Sequence, residues 1–105
     1  MATITDQTRA IIDRYIAELE KNDIPIRQAV LFGSRSKGCG DEWSDIDIAL
    51  VSDAFEGSRL KDRRKIRHIT LGVSNELSPL PFRPEDFSSE NPFVFEILKE
   101  GVKIV

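Results

Sequence analysis

Two stretches decide how this chain reads: Gln28-Ala-Val-Leu-Phe-Gly-Ser34, and, ten residues after its Gly33-Ser34 pair, Asp45-Ile-Asp-Ile-Ala-Leu-Val51. The first is a short apolar run meeting a glycine, the pattern of a buried strand that ends in a turn. The second alternates carboxylate and isoleucine in its first half. Strand side chains repeat every two residues, so Asp45 and Asp47 project from one face while Ile46 and Ile48 enter the core from the other. Two carboxylates held side by side repel and raise each other's pKa, and the usual remedy is a divalent cation bound through oxygen, Mg²⁺ or Mn²⁺. The spacing predicts a metal site at Asp45 and Asp47. An EF-hand loop starting at Asp41 fails as an alternative, because its sixth position is Ile46 where glycine is needed and its twelfth is Ser52 where a bidentate Glu belongs.

At the upstream strand's end, Gly33 lets an anion approach the backbone and the Ser34 hydroxyl can bond a phosphate oxygen. If residues 34–37 form a helical turn, its free N–H groups point at that same anion. Arg35 and Lys37 stand beside it, as phosphate partners or as solvated loop cations. One strand ending in a phosphate-holding turn and a neighbour opening with paired aspartates would place a metal–triphosphate complex between them, the arrangement of two-metal nucleotidyl transfer.

Working outward, Ile11, Ile12, Tyr15, Ile16 and Leu19 recur at helical spacing behind Thr5 or Asp6 as N-cap, which predicts an amphipathic helix over 6–21, ended by Asn22-Asp23. Residues 58–73 read as a second helix with Leu60, Ile66, Ile69 and Val73 as a loose apolar stripe. Residues 77–82 read as a third strand, confined to an edge or distorted by Pro79 and Pro81. Asn91-Pro92 opens a last helix through Glu100, with Phe93, Phe95, Ile97 and Leu98 supplying its apolar character and Gly101 as its C′ residue, and residues 102–105 return as a terminal strand. Two Phe residues two apart cannot both face inward on a helix, which leaves one for a partner.

At 105 residues the chain is expected to be one domain, 1–105, with 40% apolar and 31% charged residues, enough for a core without disorder. No apolar run approaches the roughly 20 residues a bilayer crossing needs, and Met1 to Lys21 lacks a signal-peptide apolar core, so no membrane association and a cytoplasmic location are expected. The single Cys39 excludes an internal disulfide and, with the single His68, any closed four-ligand zinc site. Cys39 has no obvious base beside it, and His68 reads as a surface residue. Trp43 is expected to pack, with stacking on a nucleobase as the alternative. The net charge of −3 argues against direct nucleic-acid binding. Yet Arg59, Lys61, Arg63, Arg64, Lys65 and Arg67 face only Asp62 within 58–68. Arg59, Arg63 and Arg67, at i, i+4 and i+8, would align on one helix face, either solvated or set against an acidic partner, RNA or nucleotide.

Gly33-Ser34, the ten-residue gap and Asp45-Ile46-Asp47 within an apolar strand resemble the signature of the polymerase-beta-like nucleotidyltransferases. Leu31-Phe-Gly-Ser-Arg-Ser-Lys-Gly38 with Ser44-Asp-Ile-Asp-Ile-Ala-Leu-Val51 is most similar to the minimal nucleotidyltransferase (MNT) group. The likeness is close over 28–52 and looser over nearly the whole chain, including Arg83-Pro-Glu-Asp-Phe87 and Glu96-Ile-Leu-Lys-Glu-Gly101. It implies an α/β (α+β) fold with a small mixed sheet flanked by helices, Mg²⁺ (or Mn²⁺) on Asp45 and Asp47, and ATP as substrate, its triphosphate held by Gly33 and Ser34 with help from Arg35. It implies transfer of AMP to an acceptor hydroxyl, and a HEPN-domain protein as partner, for which this chain would act as the antitoxin. Active members place a third carboxylate on the next strand as metal ligand and base. Leu77-Ser-Pro-Leu-Pro-Phe82 has none; Glu76 at its entrance is the nearest candidate for that catalytic role, and Asp86 lies beyond it. A second function therefore stays open, a module that keeps the fold and neutralises its partner by stoichiometric binding.

Overall fold

Thr5 accepts the Thr8 N–H and so caps the helix that follows, Asp6–Lys21 (α1), whose Ile12, Tyr15, Ile16 and Leu19 are buried as their spacing requires. Asn22 ends it, and Asp23 adopts φ 63°, the left-handed conformation that turns the chain away. The computed structural model describes residues 5–33 and 45–105. Its remaining elements are β1 (Gln28–Phe32), β2 (Ile46–Val51), α2 (Arg59–Val73), β3 (Leu77–Phe82), a 3₁₀ turn (Pro84–Asp86), α3 (Pro92–Glu100) and β4 (Val102–Lys103).

The four strands form one mixed sheet in the order β3-β2-β1-β4, an α+β arrangement in which β1 is antiparallel to β2 and β4, and β2 is parallel to β3. Parity along β2 divides the core. Ile46, Ile48 and Leu50 pack with Leu31, Ile12, Leu19 and Ile66 on the side covered by α1 and α2. Ala49 and Val51 pack with Val30, Phe82, Val94 and Ile97 on the side covered by α3.

Pro79 and Pro81 are accommodated because β3 is an edge. The bonds framing its ladder, Ile46 N–H to Glu76 O at 2.8 Å and Ser52 N–H to Phe82 O at 3.1 Å, put the even-numbered residues on the bonding side and leave the prolines facing outward, where no partner needs their missing N–H.

Between α1 and α2 a buried polar bridge crosses the core. Thr70 Oγ1 donates to Ile66 O at 3.0 Å, which commits its only hydrogen, so Tyr15 Oη donates to Thr70 Oγ1 across 2.6 Å. Burial pushes the Tyr15 hydroxyl up to about 12, partly offset by that bond and by Arg63.

Three readings of side-chain placement change. Leu60 is exposed, and the core positions of α2 are Ile66 and Ile69 with the polar Asp62 and Thr70. Both Phe93 and Phe95 are exposed, and Val94 and Ile97 carry the burial of α3. Gly101 stays extended at φ −77°; it is small because Val30 and the Ile97 carbonyl press on it, where a Cβ would collide. Among the described residues no helix is long and apolar enough to cross a membrane.

Candidate functional site

β1 and β2 are antiparallel neighbours, so the end of the first lies against the start of the second, with Phe32 opposite Asp47. One residue later the chain must turn, and Gly33 does so at φ +80°, a backbone conformation L-residues with a Cβ rarely adopt. A second reason for glycine is steric. A Cβ placed there would sit 2.5 Å from Asp47 Oδ2 and 3.3 Å from its Cγ. The corner and the carboxylate are thus in direct contact, the juxtaposition read from the two strands.

Asp47 shares the α3 side of the sheet with Ala49 and Val51, and the register extends its row to Phe32 on one flank and Ser78 on the other. Its carboxyl is pushed above the usual carboxylate range, first by burial and then by the negative charge of Asp45. Asp45, exposed at the mouth of β2, is therefore close enough to act on it. No cation among the described residues forms an ion pair with either acid.

Glu76 lies at the entrance of β3, half-buried, its carbonyl bonded to the Ile46 N–H. Among the described residues no three acidic, histidine or cysteine side chains converge, so the backbone brings Glu76 beside the aspartates without gathering the three into one cluster. Asp86 is elsewhere, in the 3₁₀ turn, where Arg83 binds it at 2.6 and 3.0 Å and holds its carboxyl below the usual range. Ser34, Arg35, Lys37, Cys39 and Trp43 lie outside the described residues.

The donor set suits a hard cation. Two carboxylates at successive same-face positions, one of them partly desolvated and reluctant to ionise beside the other, match the one or two protein ligands with which Mg²⁺ is commonly held, the remainder coming from phosphate oxygens and water.

Other features are not visible in the linear sequence. A hollow of about 210 Å³ opens beside Gly33, bounded by Phe32, Phe93, Glu96 and Glu100, with the two rings edge to face at 6.2 Å. Asp62 is buried and accepts from the N–H groups of Glu56 at 2.8 Å and Gly57 at 3.0 Å. A first-turn aspartate four residues after Ser58 signals a capping role, which the surrounding arginines mask.

A small mixed sheet with paired aspartates opening its central strand against a glycine corner defines a nucleotidyltransferase-type domain. The family model described as "Polymerase beta, Nucleotidyltransferase" matches residues 14–105, and the chain belongs to that family. A relative from Methanocaldococcus jannaschii that bears the name "Putative protein adenylyltransferase" is 29% identical over 104 residues, covering 90% of this chain and 69% of the relative.

Proposed function

We propose that this chain transfers AMP from Mg-ATP to a hydroxyl of a protein, and that the acceptor is a HEPN-domain partner for which the chain serves as antitoxin. The observation that carries the reading is the contact between Gly33 and the Asp47 carboxylate, with Asp45 beside it. The name of the M. jannaschii relative supports a protein acceptor, and the wording of residues 31–38 and 44–51, similar to the minimal nucleotidyltransferase group, supports the partner class.

Asp45 and Asp47 would hold the cation, which when bound supplies charge neutralisation for the triphosphate and lowers the pKa of an acceptor hydroxyl. Glycine at position 33 lets the Asp47 carboxylate lie at the corner, where any side chain would displace it. Phosphates brought to this corner keep the α-phosphorus beside the carboxylates, and that positioning is the chain's own contribution to rate. In the reaction the acceptor oxygen forms a bond to the α-phosphorus, the bond to the β-phosphate bridging oxygen breaks, and pyrophosphate leaves with that electron pair. The hydroxyl proton passes to Glu76 or to water.

One observation favours a second reading, stoichiometric binding without transfer: Ser78, not a carboxylate, flanks Asp47 on β3. Mass spectrometry separates the two. With Mg²⁺, ATP and a HEPN-domain protein, transfer adds one adenylyl group to that protein, and Asp45→Asn or Asp47→Asn abolishes the gain. Inhibition of the partner without ATP, unchanged in both variants, establishes the binding module instead.

A further inference from the structure

We propose that the groove between α2 and the edge strand β3 is a docking site for an acidic amphipathic helix of a partner protein. The groove has a volume of about 460 Å³ and is walled by Leu60, Arg63, Arg64, Arg67, Leu71 and Pro79. It lies on the α1–α2 side of the sheet, where Leu77 and Ile66 pack, whereas Asp47 shares the α3 side. The inference therefore goes beyond the transfer reaction and is tested apart from it.

Charge is the first argument. Residues 58–68 carry six cations and one acid, and the other residues carry nine cations and seventeen acids, from totals of 15 and 18. The one acid, Asp62, is buried and turned to the Glu56 and Gly57 N–H groups, so it leaves the arginines uncompensated. Arg63, Arg64 and Arg67 form no ion pair with any described residue. Like charges three and four apart on a helix repel, and an acidic ligand converts that repulsion into attraction.

Pattern is the second. Leu60, Arg64, Arg67 and Leu71 fall at i, i+4, i+7 and i+11, one stripe about 16 Å long at the helical rise. Its two ends are the most exposed large apolar residues described, Leu60 at 63% and Leu71 at 58%. Apolar ends with a cationic middle complement a three-turn helix carrying aliphatics at its ends and carboxylates between.

The edge strand decides the occupant's shape. Pro79 and Pro81 present no N–H outward, so an extended segment cannot add a complete ladder to β3, and the ligand must be held by side chains. A helix satisfies its own backbone and meets that condition. Nucleic acid is a poorer fit, because no aromatic side chain lines the groove to stack a base.

The probe is a fluorescein-labelled, helix-stapled 15-residue peptide with Leu in its first and last turns and Glu between on the same face, titrated with the whole chain by anisotropy. Binding should weaken about tenfold or more when Gln replaces Glu in the peptide, and likewise in Arg64→Gln/Arg67→Gln and Leu60→Ser/Leu71→Ser, with melting curves confirming the fold. Arg59→Gln should leave binding unchanged, since Arg59 borders a separate hollow with Gly57 and Arg83. Equal binding of the Gln peptide, an equal loss in Arg59→Gln, tighter binding of a single-stranded RNA at the same arginines, or self-association that Arg64→Gln/Arg67→Gln dissolves would each overturn the proposal.

Discussion

The corners at Gly33 and Gly57 are built alike and do different things. Each has a glycine in the left-handed region, φ +80° and φ +92°, with a charged side chain pressed over it: Asp47 at the first, Arg83 at the second. At Gly57 the local acid, Asp62, is buried and satisfied by two backbone N–H groups, and Arg83 is bound by Asp86. At Gly33 the local acid is only partly buried, pushed toward its neutral form, and set beside a second acid. A carboxylate whose partners are already in the fold is structural; one whose surroundings among the described residues disfavour its charge is where a bound cation would offset the most.

Of the two acids, removing the satisfied one should do the more damage to stability. Asp62→Ala takes the acceptor away from the Glu56 and Gly57 N–H groups, empties a buried side-chain position and removes the acid from the first turn of α2, a loss of about 2 kcal/mol by urea denaturation. Asp62→Asn should recover less than half, because its amide offers one acceptor oxygen where two donors converge. If Asp62→Ala melts like the wild type, the distinction between the two corners is lost.

The glycines sharpen the same contrast. Gly33→Ala and Gly57→Ala each force a Cβ into a left-handed backbone, at about 1–3 kcal/mol apiece. They differ in what the Cβ meets. At Gly57 it meets Nε of Arg83, 2.6 Å away on a long, half-exposed side chain that can swing aside; at Gly33 it meets Asp47 Oδ2, on a short side chain anchored in the central part of the sheet. Gly33→Ala should therefore lose more stability than Gly57→Ala, and only Gly33→Ala abolishes the rise in melting temperature produced by Mg²⁺ with ATP.

Most of the backbone was legible in the sequence, for reasons that differ between elements. The bounds of α1, β1 and β3 follow from a cap, a Pro, a Gly or a change of period, all local signals. The contact of Gly33 with Asp47 was legible because an antiparallel pairing of 28–32 with 46–51 leaves no other place for the corner. Side-chain fate in α2 was not. Leu60 resembles a core residue in any periodicity count, and Asp62 resembles one more surface charge. Their exchange of roles depends on the loop at 54–58, whose two N–H groups need an acceptor more than the core needs another leucine at that point. The arginine stripe went the same way: Arg59 turns to the Gly57 hollow, and Arg64 joins Arg63 and Arg67 instead.

The smallest effect is the most discriminating, because its sign is opposite to what a structural carboxylate gives. Asp47 has a folded pKa above its unfolded one, so between those two values the folded chain binds more protons than the unfolded chain, and stability falls as pH rises through that window. At neutral pH the native state carries the full penalty of an ionised Asp47 beside Asp45. Asp47→Asn removes it, and the variant should melt slightly above the wild type at pH 7, the two curves converging once the pH drops below the ordinary carboxylate range and Asp47 is neutral in both states. Asp86, whose carboxyl Arg83 holds low, supplies the internal control: its contribution is present at neutral pH and is lost on acidification, so Asp86→Asn should lower the melting temperature at pH 7. Mg²⁺ with ATP should then invert the first comparison. The cation offsets the charge that destabilises the free wild type and raises its melting point, and Asp47→Asn, lacking that ligand, gains nothing.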